Sequence, residues 1–260
     1  MESDDEIAIW RYIDLGKFVD LLATESLYFA CPSQFEDPYE GLVPRSHVEA
    51  ESKIFQKFID DILALKYQMS AQPVDKKVKE LLDAKMNNVA KSIPEIPKQV
   101  MLRFGVNCWH KNEFESEAMW KLYSASRQGI AIKSTIGQLR NSLRGAKVRI
   151  DSVRYMDFDN DPIEKGHDHY KLFLKRKSFE HEREVRATIS LPQQGKGILV
   201  KCDIDILISS IHLAPFAPAY LMDAVESVCR GKLNTLQKPV VKSKLFDIPD
   251  YGLNINVRPI

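Results

Sequence analysis

The segment 175–186 constrains the fold most strongly, because it places a dense set of charges directly before an apolar stretch. It contains five lysines and arginines and three glutamates, and it continues into Ala187-Thr188-Ile189. Side chains on a β-strand alternate between the two faces of a sheet. A strand over its second half would therefore put four charged residues on one face: Glu180, Glu182, Glu184 and Arg186. Charges arranged in this way must either neutralise one another or meet a ligand.

The composition is that of a globular protein large enough to bury a core. Hydrophobic residues make up 44% of the 260 positions and charged residues 28%. The formal net charge is +1, so no overall electric field attracts nucleic acid or acidic membranes. The four cysteines are far apart and form no C-x-x-C pair, which favours a reducing, cytoplasmic location. The acidic N-terminus and the lack of a long uncharged apolar run predict no membrane partner.

Strand-like and helix-like patterns follow one another without the regular strand-helix-strand repeat that builds a parallel sheet. Runs rich in β-branched and aromatic residues predict strands at 7–13, 27–30, 102–109, 129–132, 147–155, 198–201, 207–213 and 239–246. Helical periodicity predicts helices after Asp14, around 118–123, and at 136–143, 162–178 and 218–229. This order favours an α+β fold with a mixed, mainly antiparallel central sheet flanked by helices.

Residues 46–92 differ in character from their surroundings. They are polar and rich in lysine, and their apolar residues recur at helical spacing, with Pro73 dividing the stretch. We interpret the chain as a single domain, residues 1–260, with a helical insertion at about 46–92. The insertion is a candidate partner-binding surface, although its lysines favour a solvated helix face.

Several common catalytic signatures are missing from the sequence. The lack of a glycine-rich phosphate loop argues against a Rossmann dehydrogenase and against a P-loop NTPase. The G-x-S-x-G, H-E-x-x-H and kinase signatures do not occur either. His167-x-His169 is the one close histidine pair, and its polar surroundings after Gly166 favour a loop over a metal site. We therefore predict no bound metal.

Two other motifs each have a functional and a structural interpretation. Asp37 precedes Pro38 in an acidic loop, so a structural turn competes with a role for Asp37 or Glu40 in a cleft. Trp120 and Tyr123 lie three positions apart on one helical face, so core packing competes with stacking on a base. The sequence leaves both choices open.

Glu182 and Glu184 are the strongest candidates for chemistry. Two carboxylates on one strand face raise the pKa of one member by repulsion, which suits a group that holds or moves a proton. The structural alternative is a ladder of ion pairs with Arg186, Lys175 and Arg11. The sequence does not decide between these interpretations.

Five motifs in a fixed order resemble the bacterial domain-of-unknown-function family 2971. In chain order they are Phe35-x-Asp37-Pro38-Tyr39-Glu40, a strand ending near Cys108, Met119-Trp120-x-x-Tyr123, Gly129-Ile-Ala-Ile132 and Lys175-x-x-x-Phe179-x-x-Glu182-x-Glu184-Val185-Arg186. The similarity covers the chain from about Trp10 to Phe246. Glu36 stands where the family usually has asparagine, and Phe179 where it usually has tryptophan. The family carries no established activity, so Asp37, Glu40, Lys175 and Arg186 are motif residues without an assigned role.

A second set of motifs is similar to the opening and the late motif of ADP-ribosyltransferase folds. Arg11 lies on the first predicted strand, Ser134-Thr135 comes later, and Glu182-x-Glu184 follows in the order of the arginine-class enzymes. Ile136 stands where those enzymes have a second serine. The resemblance implies NAD as a substrate, with no covalently bound cofactor. It also implies a catalytic Glu184, a Glu182 that acts on the acceptor, and a set of NAD-binding residues: Arg11, Tyr12, Trp120, Tyr123 and Ser134.

Three functions are expected on these grounds. The first is an NAD-dependent ADP-ribosyltransferase-like or NAD-glycohydrolase enzyme, a toxin or phage-defence effector acting on an unidentified macromolecular or small-molecule target. The second is a metal-dependent nuclease that holds its ion between Asp37, Glu182 and Glu184. The third is a non-enzymatic interaction protein in which the same residues form a structural ion network.

Overall fold

A seven-stranded sheet organises the computed structural model, which describes residues 4–47, 101–123, 128–162, 170–232 and 238–248 and isolated helical positions between 49 and 84. In spatial order its strands are β11 (Val240–Lys242), β10 (Ser210–Leu213), β4 (Gly129–Thr135), β1 (Ala8–Asp14), β3 (Phe104–Lys111), β8 (Glu184–Ser190) and β5 (Arg149–Ser152). The β10–β11 pair is parallel and the other pairs are antiparallel. The predicted α+β class with a mixed, mainly antiparallel sheet is confirmed.

Two smaller sheets complete the strand pairing in the described part of the chain. β2 (Ser26–Phe29) pairs with β9 (Ile198–Lys201) in antiparallel fashion, and β6 (Arg154–Met156) pairs with β7 (Leu174–Arg176) in parallel fashion. The isolated bridge between Ala30 and Val106 joins the end of β2 to β3. The Val153 amide, just before β6, donates to the Glu184 carbonyl at 2.8 Å, which places β6 and its partner β7 beside the start of β8.

Five helices besides the insertion flank the sheet in the described part of the chain. They are α1 (Leu15–Thr24), α2 (Glu117–Tyr123), α3 (Ile136–Ser142), α4 (Ile204–Leu207) and α5 (Ala219–Lys232). Short polar residues cap the starts of three of them, α1, α3 and α4. Asp14 accepts a hydrogen bond from the Lys17 amide at 2.8 Å, so it is the N-cap of α1, the helix predicted after it. Thr135 and Gln138 form a capping box at the start of α3.

The two faces of the central sheet differ in polarity. One face buries Ile9, Ile130, Ile132 and Ile211 against α1 and the other apolar elements of the core. Because antiparallel partners point to the same side, the registers of β1, β3 and β8 place a different set on the opposite face: Trp10, His110, Cys108, Glu184 and Arg186. This second face, aromatic in part and charged in part, carries the candidate site.

The segment before β8 differs from the predictions. Residues Lys177–Glu182 form a 3-10 helix, and Arg183 has a left-handed backbone with φ 42°, so β8 begins only at Glu184. Glu180 and Glu182 are therefore not on the strand face that was predicted for them. The predicted helix 162–178 is also wrong where it is described, because Tyr170–Phe173 is a 3-10 helix and Leu174–Arg176 is β7.

Other predictions fall largely outside the described residues. The insertion at 46–92 is described only at isolated positions between Glu49 and Ala84, which are helical. Its proposed role as a partner-binding surface is not tested, and His167 and His169 lie outside the description. Within the described residues, no helix is both long and apolar enough to cross a membrane.

Candidate functional site

Arg186 is the centre of a buried ion cluster, and its side chain is only 1% exposed. Its Nε donates to Glu184 Oε2 at 2.6 Å, and its two Nη atoms donate to the two carboxylate oxygens of Glu40 at 2.8 Å each. Nη1 also donates to the carbonyl of Leu172 at 2.8 Å. Burial opposes the charge of Arg186, but Glu184 and Glu40 outweigh that effect and raise the pKa of the guanidinium. The bidentate pair between Arg186 and Glu40 connects the loop 35–41 to strand β8.

Lys175 extends the cluster from strand β7. Its Nζ lies 2.6 Å from Glu184 Oε1 and 3.7 Å from Glu40 Oε1, and it also donates to Glu182 Oε2. The ring of Phe179 lies 4.8 Å from the same Nζ. Three carboxylates therefore meet two cations in a largely buried space, and one negative charge is left over unless a proton is bound.

The environments of Glu184 and Glu182 separate their pKa values. Burial raises the pKa of Glu182 to about 7, helped by its hydrogen bond to Glu184 and only partly opposed by Lys175. Burial also penalises the charge of Glu184, but Arg186 outweighs it and holds the pKa of that carboxyl well below its usual range. A proton on Glu182 neutralises the surplus negative charge below about pH 7, and above that pH Glu182 is ionised. The Glu182 side chain is 17% exposed against 8% for Glu184. Paired carboxyl groups with separated pKa values are suited to acid–base chemistry.

Two tyrosines border the two glutamates. The Oη of Tyr155 accepts a hydrogen bond from the Glu184 amide at 2.7 Å. Tyr123 ends helix α2, and partial burial together with the carboxyl group of Glu182 raises its pKa to about 12. Burial raises the pKa of Tyr155 as well, so both phenols remain neutral at physiological pH and keep a proton that can be donated in a hydrogen bond.

A second ion pair holds the loop 35–41. Asp37 Oδ1 accepts from Arg176 Nη2 at 2.8 Å and from the Tyr39 amide at 3.1 Å. The Arg176 guanidinium lies 4.1 Å from the Tyr39 ring centroid and 5.2 Å from that of Phe179. Asp37 is thus a turn residue, as its structural interpretation expected, and also an ion-pair partner.

Arg11 does not join the cluster in the way the sequence suggested. Its Nη1 donates to the carbonyl of Cys108 at 2.7 Å, and its Cζ lies 5.8 Å from the ring of Trp109. On β1 the side chains of Arg11 and Trp10 point to opposite faces of the sheet. Arg11 therefore lies on the face opposite to Glu184. Burial lowers the pKa of Arg11. The expected ion pairs with Arg186 and Lys175 are present, whereas Arg11 is bonded to the backbone instead.

Tyr12 and Trp120 pack within the protein. They are 6% and 4% exposed, with ring centroids 4.9 Å apart in a T-shaped arrangement. The Tyr12 hydroxyl accepts from the Ser116 amide at 2.8 Å, and Trp120 Nε1 donates to Glu115 at 2.8 Å. Core packing, one of the two alternatives for Trp120, is therefore what is observed, whereas Tyr123 is 54% exposed.

Ser134 lies far from the carboxylates in the fold. It is fully buried on β4 opposite Ile9, on the apolar side of the sheet. Its Oγ donates to the Thr135 carbonyl at 3.4 Å, and Thr135 caps α3. Among the residues expected to bind NAD, Tyr123 alone combines wide exposure with proximity to the glutamates.

The three carboxylates proposed for a nuclease metal are all paired with basic side chains. Asp37 pairs with Arg176, while Glu182 and Glu184 pair with Lys175. Over the described ranges, no three side chains of the types that bind metals come together as an ion site would require.

Sequence reasoning missed four residues that contact the cluster or its loop: His110, Tyr155, Arg176 and Phe35. His110 Nδ1 lies 2.6 Å from the carbonyl oxygen of Glu182, and the ring of Phe35 lies 5.8 Å from Arg186 Cζ. Phe35 and Arg176 stand inside or beside recognised motifs, which was an available signal. Tyr155 and His110 carry no local pattern, because only the strand register brings them to the site.

Comparison of the chain with protein-family models, with curated proteins and with solved structures gave no match in any of the three cases.

Proposed function

We propose that the chain is an enzyme that cleaves the bond between nicotinamide and ribose in NAD and transfers the ADP-ribosyl group to water or to a target. The catalytic centre in this proposal is Glu182, with Lys175 and Glu184 controlling its charge. The observation that supports it is that the Lys175 ammonium group binds two carboxyl groups, the more exposed one of Glu182 and the buried one of Glu184. NAD as the substrate rests on the sequence resemblance to ADP-ribosyltransferase folds.

The contacts of Glu184 favour Glu182 as the residue that meets the substrate. Glu184 Oε1 accepts from Lys175 at 2.6 Å and from Arg186 at 3.2 Å, and its Oε2 accepts from Arg186 at 2.6 Å. Turning this carboxylate toward a ribose hydroxyl would break its bonds to the buried guanidinium of Arg186 and to Lys175, which is costly. We therefore assign the direct role to Glu182, which reverses the roles that the resemblance implied.

The charge of the cluster fits the reaction. Nicotinamide leaves with the bonding electron pair, and positive charge develops on the ribose carbon and its ring oxygen. With Glu182 ionised, the surplus negative charge of the cluster would stabilise that centre. Glu182, with a pKa of about 7, would then take the proton released by the attacking water or acceptor hydroxyl.

The test compares Glu182→Gln with wild type for NAD cleavage, measured by chromatography of released nicotinamide, and for melting temperature. We expect the rate at pH 8, where Glu182 is ionised in wild type, to fall by about 100-fold or more without a drop in melting temperature, since removal of a general base costs that much. Thr24→Ala, at the surface end of α1, is the matched control and should keep wild-type activity. Wild-type protein that is folded yet neither binds nor cleaves NAD would overturn the proposal.

A non-enzymatic function is the second candidate, and one observation favours it. Glu40 and Arg186 are 4% and 1% exposed and saturate each other with a bidentate pair, as a purely structural network would. On this view Glu182→Gln would lower the melting temperature and leave no activity to lose. The two measurements above therefore separate the candidates.

A further inference from the structure

His110 lies beside Glu182 without belonging to the ion cluster. It sits on strand β3 opposite Glu184 and is 6% exposed. Its Nδ1 lies 2.6 Å from the main-chain carbonyl oxygen of Glu182. A carbonyl oxygen can only accept a hydrogen bond, so Nδ1 must carry the proton.

The other ring nitrogen fixes the charge of His110. Nε2 is buried and has no hydrogen-bond partner among the described residues. A protonated Nε2 would be a buried charged donor without an acceptor, which costs more than a lone pair left unpaired. Burial lowers the pKa of His110, and Arg183 and His181 nearby act in the same direction. The ring is therefore neutral, in the tautomer with the proton on Nδ1.

The hydrogen bond from His110 holds the main chain of Glu182 at the point where the chain reverses direction before β8. Glu182 ends the 3-10 helix, and Arg183 follows with its left-handed backbone. The amide of Lys111, next to His110 on β3, donates to the Arg183 carbonyl at 2.8 Å. Two neighbouring residues of β3 thus hold two successive carbonyl groups of this reversal.

We propose that His110 is a positioning residue that holds the main chain of Glu182, so that the Glu182 carboxyl stays on Lys175 beside Glu184. The inference rests on the proposed catalytic role of Glu182. Besides those two side chains, the phenols of Tyr123 and Tyr155 interact electrostatically with the Glu182 carboxyl. None of them anchors the Glu182 backbone, whereas the Nδ1 bond does.

Two substitutions separate anchoring from simple packing. His110→Asn keeps an amide N–H donor close to the place of Nδ1, whereas His110→Phe keeps a ring and removes the donor. The first readout is the titration of the Glu182 carboxyl by carbon NMR, with Glu182→Gln to identify its resonance. The second is kcat for NAD. We expect His110→Phe to shift the Glu182 pKa from about 7 toward its ordinary value and to lower kcat on the order of 100-fold, with KM little changed.

His110→Asn should keep both the Glu182 titration and kcat near wild type. If folded His110→Phe titrates like wild type, the positioning role is wrong, whatever the activity. If the titration shifts but the wild type never cleaves NAD, the positioning role stands and the proposed function falls. Should His110→Phe fail to fold, nitrogen NMR of the wild-type imidazole decides: a neutral ring protonated on Nδ1 is expected, and a proton on Nε2 overturns the proposal.

Discussion

At the residue scale, the behaviour of the two glutamates follows from what each can reach. Glu184 lies on β8 in line with Arg186, so period-two alternation was enough to predict that these two side chains share a face. Glu182 was predicted on the same strand face, yet it reaches Lys175 from a 3-10 helix. The sequence could predict the ion pairs because opposite charges were close together. The sequence could not predict which carboxyl groups are held by Arg186, because Glu40 lies in a loop 146 positions away from Arg186 along the chain.

The raised pKa of Glu182 predicts how stability depends on pH. The folded protein holds the Glu182 proton up to about pH 7, whereas the unfolded chain releases it near the ordinary value of 4.5. The folded state therefore binds more protons between these values, and this contribution to stability is full below pH 4.5 and is lost as pH rises through 7. Urea denaturation from pH 5 to 8 should show the unfolding free energy of wild type falling relative to Glu182→Gln by up to about 3 kcal/mol.

Glu180→Gln is the matched control for this measurement, because Glu180 is exposed in the same 3-10 helix. Its stability should follow wild type across the whole pH range. If Glu182→Gln also runs parallel to wild type, Glu182 has an ordinary pKa in the folded protein and the cluster does not hold the extra proton.

At the element scale, hydrophobic patterning predicted most strands and helices, and tertiary contacts explain the exceptions. The strands β1, β4 and β10 are rich in β-branched and other apolar residues, and the helices α1 and α3 carry apolar residues at helical spacing. The segment before β8 instead takes its shape from contacts with β3, since the Arg183 carbonyl and the Glu182 carbonyl are both held there. Contacts of that kind leave no periodic trace in the sequence.

The loop 35–41 depends on a glycine at its end. Gly41 has φ +73°, and a Cβ at that position would collide with the side chain of Met101. We therefore expect Gly41→Ala to destabilise the protein by at least about 2 kcal/mol, from backbone strain and overpacking together. Gly145→Ala is the control, because nothing lies within 4 Å of a Cβ there, and its effect should stay within about 0.5 kcal/mol. Equal losses for the two variants, measured by urea denaturation, would show that the loop conformation does not require glycine.

At the scale of the whole molecule, the two faces of the central sheet have different roles, since one forms the core and the other carries the candidate site. Its apolar face packs the core, while its other face brings Trp10, His110, Glu184 and Arg186 together from strands that are distant in sequence. The fold class could be predicted because it depends on the order and period of elements. The makeup of the site could be predicted only in part, because Arg11 and Ser134 are placed by strand registers that composition does not specify.

The ion cluster also connects the N-terminal and C-terminal halves of the described chain. Weakening it should therefore increase local opening in the segments on both sides of the cluster. Glu40→Gln removes the charge of one partner of Arg186 and leaves an amide of the same shape. Hydrogen exchange measured by mass spectrometry should show faster exchange in peptides covering 35–42 and 170–176. Peptides of β4, where the backbone pairs with β1 over its whole length, should exchange as in wild type, because local openings are confined to cooperative units. A uniform increase in exchange rate across all peptides would mean that the cluster supports the global stability of the protein and not only the local structure of these two segments.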